Sequence, residues 1–146
     1  MKIKVNPNTE FREIEVVINC PQEDDTVQRI VATVRAINKR LHGRFHNENY
    51  NVDISEVLYI DSVDRKVFFY TENQIYETEK KLYELEEYLG NSSFFRASKS
   101  TIINLSRVKS LRPELGARLL LTMENGEKML VSRQYAQSIK AALEVD

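Results

Sequence analysis

The chain holds a single cysteine, Cys20, in 146 residues. An internal disulfide is therefore impossible, and one copy cannot assemble a thiolate metal cluster. Cys20 reads as a small, semi-buried hydrophobe. Only four glycines and three prolines occur, too few for a disordered or fibrous class. The glycines, at positions 43, 90, 116 and 126, are too scattered for a GxGxxG or Walker loop that would cradle phosphates. Nowhere do eighteen apolar residues run together, and the opening MKIKVNPNTEF has no apolar stretch of signal-peptide length. No export signal or membrane span is expected, and the cytoplasm is the expected location. His42 and His46 are four apart, but Gly43 lies between them and no HExxH or third ligand accompanies the pair. They read as surface histidines, and no metal is expected. No residues stand out as a nucleophile, its base and an orienting partner. Neither an enzyme nor a bound cofactor is expected.

What the sequence does contain is enough apolar residue for one real core at this length, and a charge split. Net charge is −1, which argues against a surface coated in positive charge. Residues 1–90, however, carry 12 Lys and Arg against 17 Asp and Glu, whereas residues 91–146 carry 9 against 5. The first stretch is thus −5 and the second +4. A solvated surface without a partner could also be split in this way.

Arg12 to Ile18, REIEVVI, alternates loosely and is β-branched, which suits a strand with one buried face. Asp24 can cap a helix over Asp25 to Arg40, in which Val27, Ile30, Val31, Val34, Ile37 and Leu41 recur at helical steps. That stripe either covers the core of this chain or forms a surface for a dimer mate or regulator. Gly43 and the polar run from His46 to Asn51 read as a turn. Val57 to Ile60 and Val67 to Tyr70 read as strands joined through Ser62 to Arg65, with a third strand near Ile75 to Thr78. Leu82, Leu85 and Leu89 form a helical stripe ended by Gly90 and Asn91. Phe94 to Ala97 and Leu119 to Met123 read as strands, and Asn125-Gly126 is a strong hairpin signal. A closing helix follows Ser132, with Tyr135, Ile139, Ala142 and Leu143 on one face. No internal repeat is apparent.

Three groups of residues could meet an anion. A two-residue Asn125-Gly126 loop would place Leu121 opposite Leu130, Leu120 opposite Val131 and Arg118 opposite Arg133. Two facing arginines are a cost that a phosphate would relieve. Arg133 also falls at the start of the last helix, where free N–H groups favour an anion. Alternatively Arg133 bends into water or pairs with a carboxylate. Lys99 sits in the polar knuckle Ser98-Lys99-Ser100-Thr101, suited to phosphates or base edges and equally to a surface turn. Arg65 and Lys66 form a basic pair at a loop, with a solvated hairpin tip as the other reading.

The segments FFRASKSTIINL, residues 94–105, and NGEKMLVSR, residues 125–133, resemble the LytTR family of response-regulator DNA-binding domains. The resemblance rests on Phe95, Arg96, Ser98-Lys99-Ser100, Asn104-Leu105, Asn125-Gly126 and Ser132-Arg133. It covers roughly residues 41–146 and leaves residues 1–40 as a β-α extension. It implies a β-rich α+β fold of several small antiparallel sheets with short helices, and a bacterial, response-regulator-like protein. Such domains insert connecting loops, rather than a recognition helix, into the major groove of double-stranded DNA. Lys99 and Arg133 take the positions of the knuckle and Ser-Arg contacts, with Ser98, Ser100 and Ser132 beside them, and the loop from Ser62 to Lys66, with Arg65 and Lys66, takes that of the first. Arg133 is the first choice for guanine readout, while Arg96 supports the fold. Many members carry His where this chain has Ser98, so no imidazole contact is implied there. The stretch before the domain is too short for a receiver. The resemblance therefore implies a transcriptional regulator that binds repeated half-sites as a homodimer. It also implies control by a separate membrane-bound inhibitory protein, with residues 1–40 as the partner or dimer surface. The alternative is a protein-interaction module that keeps the fold and acts on a partner rather than DNA.

Overall fold

The computed structural model describes residues 1–90 and 92–143. Among them, helix α1 (Asp25–Ala36) leads into strands β1 (Arg40–Phe45), β2 (Glu48–Asp53), β3 (Val57–Val63), β4 (Lys66–Thr71) and β5 (Ile75–Thr78), then helix α2 (Leu82–Tyr88). Strands β6 (Phe94–Arg96), β7 (Thr101–Asn104), β8 (Val108–Glu114), β9 (Arg118–Met123) and β10 (Lys128–Val131) follow, and helix α3 (Arg133–Ala142) closes the chain. Seven strands pair in the order β2-β1-β5-β4-β3-β7-β6, and three in the order β10-β9-β8. All pairs are antiparallel. This is the β-rich α+β fold with short helices that the sequence predicts.

The seven-stranded sheet is covered on both faces. On one, Val57, Ile60, Phe69 and Ile102 pack with Leu82, Leu85 and Leu89 of α2; on the other, Leu58, Tyr59 and Ile103 meet Leu119, Leu121 and Met123 of the small sheet and Ile139 of α3. Burial on both faces explains why Val57 to Ile60 is continuously apolar rather than alternating. A register shift between Val57 and Tyr59 marks a bulge, which lets the adjacent residues Leu58 and Tyr59 serve the same core. Asp64 and Arg65, with φ of 52° and 68°, make the tight two-residue turn between β3 and β4 whose handedness matches the twist of the strands.

Several expectations are corrected. Arg12 to Ile18 forms no strand. The segment is exposed but for a half-buried Ile18, because β-branched composition makes a strand only where a neighbouring edge takes up its backbone N–H and C=O groups. Cys20 is exposed. Helix α1 stops at Ala36, with Asn38 in the left-handed region at φ 68°, so Leu41 belongs to β1 and is buried in the sheet rather than on the helical stripe. Of that stripe only Val27 is buried. The polar stretch around Gly43 is a pair of strands rather than a long turn. Gly43 lies within β1 because a Cβ there would stand 2.5 Å from the Phe69 ring. The expected helix end at Gly90 and Asn91 includes Asn91, which lies outside the described residues.

The last hairpin also differs. Val131 pairs with Leu119 and Met129 with Leu121, one residue from the expected register. The Met123 N–H donates to the Glu127 carbonyl and Gly126, at φ 88°, completes a three-residue loop. A one-residue slip turns every side chain to the opposite face, and only the observed register buries Val131 with Leu119, Leu121 and Met123. Arg118 therefore does not face Arg133; it pairs with Glu114 across β8.

A structural repeat is present that the sequence does not announce. The succession of two strands, a 3-10 turn, three strands and a helix occurs twice. The 3-10 turns Ile54–Glu56 and Leu105–Arg107 lie 51 residues apart, as do the starts of α2 and α3. Asp53 and Asn104 each accept from the N–H of the serine two residues on, Ser55 and Ser106. The strands that follow carry bulges at matching positions, after Val57 and after Val108.

Candidate nucleic-acid interface

The knuckle from Ser98 to Ser100 is the link between β6 and β7, at one end of the large sheet. Its backbone is held from several sides. The Ala97 and Ser98 N–H groups donate to the Thr101 carbonyl, and the Ser62 N–H at the end of β3 donates to the Ser100 carbonyl at 2.8 Å. The Thr101 hydroxyl donates to Asp61 Oδ1 at 3.1 Å, which fixes β7 against β3. Ser98 Oγ and Ser100 Oγ stand 3.4 Å apart, and Lys99 is exposed.

Helix α3 reaches the same place from the small sheet. The Ser132 N–H donates to the Ala97 carbonyl at 2.9 Å, tying the start of α3 to the base of the knuckle. Ser132 occupies the N-cap, and the Tyr135 and Ala136 N–H groups donate to its carbonyl. Its hydroxyl makes no capping bond and stays available to an outside partner. Arg133 is the first helical residue and is exposed. The first turn of a helix presents unsatisfied N–H groups, the positive end of its dipole.

Ser98, Lys99, Ser100, Ser132 and Arg133 together line one open hollow of about 610 Å³. Five candidate residues from two distant segments thus meet on one surface. The sixth lining residue is Gln134, which the sequence reading missed. Its only signal there is its place after the Ser-Arg pair, in the first turn of the helix, where a side-chain amide can hydrogen-bond a base edge or a phosphate. Arg65 and Lys66 do not line the hollow. Arg65 sits at the tip of the β3–β4 turn, and Lys66 leans towards Glu77 Oε1 at 3.8 Å.

Among the described residues no carboxylate pairs with Lys99 or Arg133, whereas Arg44, Arg96, Arg107 and Arg112 all have acidic partners. The charges of the hollow are thus presented to solvent. On β3 and β4, Tyr59 and Tyr70 stack with ring centroids 4.5 Å apart. Burial pushes both phenols above their ordinary value of 10.0, so they stay neutral at physiological pH. His42 and His46 are exposed on and beside β1. Among the described residues no group of three His, Cys, Asp or Glu is placed to hold a metal, and no helix is long and apolar enough to cross a membrane.

Comparison with known proteins gives three findings. A family model described as the LytTr DNA-binding domain matches residues 47–144. An uncharacterized HTH-type transcriptional regulator of Staphylococcus aureus strain NCTC 8325 / PS 47 is 29% identical over 147 residues, covering 99% of both chains. Its counterpart in the bovine strain RF122 / ET3-1 is 30% identical with the same coverage. Among solved structures, a LytTr DNA-binding domain of a methyl-accepting/DNA response regulator from Bacillus cereus superposes with a TM-score of 0.68 at 28% identity, covering 73% of this chain and 97% of that one. The Staphylococcus names invoke a helix-turn-helix, yet among the described residues here strands separate every helix from the next.

Proposed function

This chain belongs to the LytTR family of DNA-binding domains, and from that premise we propose that it reads double-stranded DNA with the loops around the Lys99 and Arg133 hollow. It is a DNA-binding transcriptional regulator. Arg133 forks onto a guanine edge in the major groove, and Lys99 meets a phosphate or a base. Ser98, Ser100, Ser132 and Gln134 hydrogen-bond beside them, and the Arg65-Lys66 turn reaches backbone further along. The observation that carries this reading is the meeting of two cations that have no acidic partner among the described residues, from segments more than thirty residues apart, on one surface whose backbone is tied by the Ser132 to Ala97 bond.

Residues 41–146 are the reader, and residues 1–40 form a regulatory extension that mediates a homodimer on repeated half-sites or receives a membrane-bound inhibitory protein. Support for that extension lies in its exposed apolar side chains, among them Ile3, Val5, Phe11, Ile14 and Val17. The same exposure favours one second reading, a module that acts on a protein partner rather than on DNA.

The test begins with selection of bound sequences from a random DNA pool. On the best site Arg133→Ala is expected to weaken binding by about 1–3 kcal/mol and to relax preference at one base pair. Lys99→Ala, if its contact is a phosphate, weakens all sequences alike and lowers the salt slope by about one. Unaltered binding by both variants would remove the assignment. Absence of DNA binding even at low salt would favour the protein-partner reading.

A further inference from the structure

Arg96, the last residue of β6, has a side chain only 18% exposed and spends its whole guanidinium on the knuckle and α2. Its Nε donates to the Ser98 carbonyl at 2.7 Å and its Nη2 to the Lys99 carbonyl at 2.5 Å. Its Nη1 is held by Glu86 Oε1 of α2 at 3.2 Å. With the Ser62 N–H on the Ser100 carbonyl, all three knuckle carbonyls are captured by the protein. Carbonyl oxygens are the negative ends of the peptide dipoles. Turned inward, they leave the outer side of the knuckle to hydroxyls and the Lys99 ammonium, a surface suited to an anionic strand. Turned outward, the same carbonyls would oppose phosphate oxygens directly.

Resting on the DNA-reading function above, we propose that Arg96 is a positioning residue for that readout, with Glu86 orienting it from α2. Arg96 touches no DNA. It holds two consecutive carbonyls with two nitrogens of one guanidinium, so that Lys99 projects from a fixed backbone. The guanidinium is a rigid planar fork that can do this; an ammonium, a compact charge with three rotating donors on a flexible stem, does not fix two carbonyls in the same geometry.

The test is a double-mutant cycle on the selected DNA site at a temperature where every variant is fully folded by circular dichroism. Arg96→Lys is expected to weaken specific binding at least tenfold in the full chain, and by less than threefold in a Lys99→Ala background, because the contact it positions is already gone. Glu86→Gln should give a smaller loss in the same pattern. Amide exchange of Lys99 and Ser100, read without DNA, should accelerate in Arg96→Lys while the β8–β9 amides keep their protection. Equal losses in both backgrounds, or unchanged knuckle exchange, would overturn the positioning role and leave the DNA-reading function standing. Failure of the unaltered protein to bind DNA would overturn both.

Discussion

Arg65 shows what single residues reveal about this fold. It sits with Asp64 in the left-handed region, at φ 68°, where an L side chain costs about 1 kcal/mol and glycine costs none. Arg65→Gly is therefore expected to stabilise the fold by up to about 1 kcal/mol in urea denaturation, while weakening DNA binding through the lost cation. A variant both less stable and unaltered in binding would deny the turn any part in recognition. At this scale the motifs single out Lys99 and Arg133 without knowledge of register, and the structure brings the two to one hollow. The sequence misled on Arg118, because the residue types around Asn125-Gly126 do not tell a two-residue loop from the three-residue one, Glu124 to Gly126, that forms. The captured carbonyls around Arg96 were beyond it altogether, since no spacing rule says which way a carbonyl turns. Asn104 is similar: the motif places it, but only the structure shows its amide donating to the Val57 carbonyl while its oxygen accepts from Ser93 and Ser106.

The strands show which patterns carry information. β3, β4, β5, β6, β9 and both later helices were legible because buried faces impose apolar runs or helical stripes. β1 and β2 were not. More than half of their residues are polar and half are exposed, β2 being an edge of the sheet, and β1 includes a glycine. Gly43 is the point where that strand meets the core. A Cβ there would stand 2.5 Å from Phe69 Cζ and 2.7 Å from Tyr76 Cβ, well inside contact distance. Gly43→Ala should cost about 1–3 kcal/mol by overpacking, measured by thermal or urea unfolding, and Phe69→Leu in the same chain should recover part of that loss. An unchanged melting temperature would mean that β1 can shift freely on its neighbours. The Arg12 to Ile18 segment teaches the converse, that a good local pattern still needs an edge to pair with.

Taken whole, the molecule has an ordered body and an amino-terminal arm outside its cores, residues 1–24 contributing nothing buried. Deleting residues 1–20 is expected to leave the melting temperature within a few degrees. If the arm holds a homodimer together, light scattering should then report a monomer where the full chain is a dimer. A collapse of the melting temperature would place the arm in the core instead. The charge split falls close to the boundary between the two structural halves: the first half is acidic and the second basic. That pairing of repeated form with opposite charge bears on how the chain finds its fold. Two copies of one succession of elements in a single chain invite exchange, with a hairpin of one half slotting where the other belongs. The turn after β3 has two residues and the turn after β8 has three, Leu115 to Ala117, so an exchanged hairpin would bring its partner strand in out of step. The unequal turns thus oppose that exchange, and keep each hairpin in its own half while β3 and β7 join the two halves edge to edge.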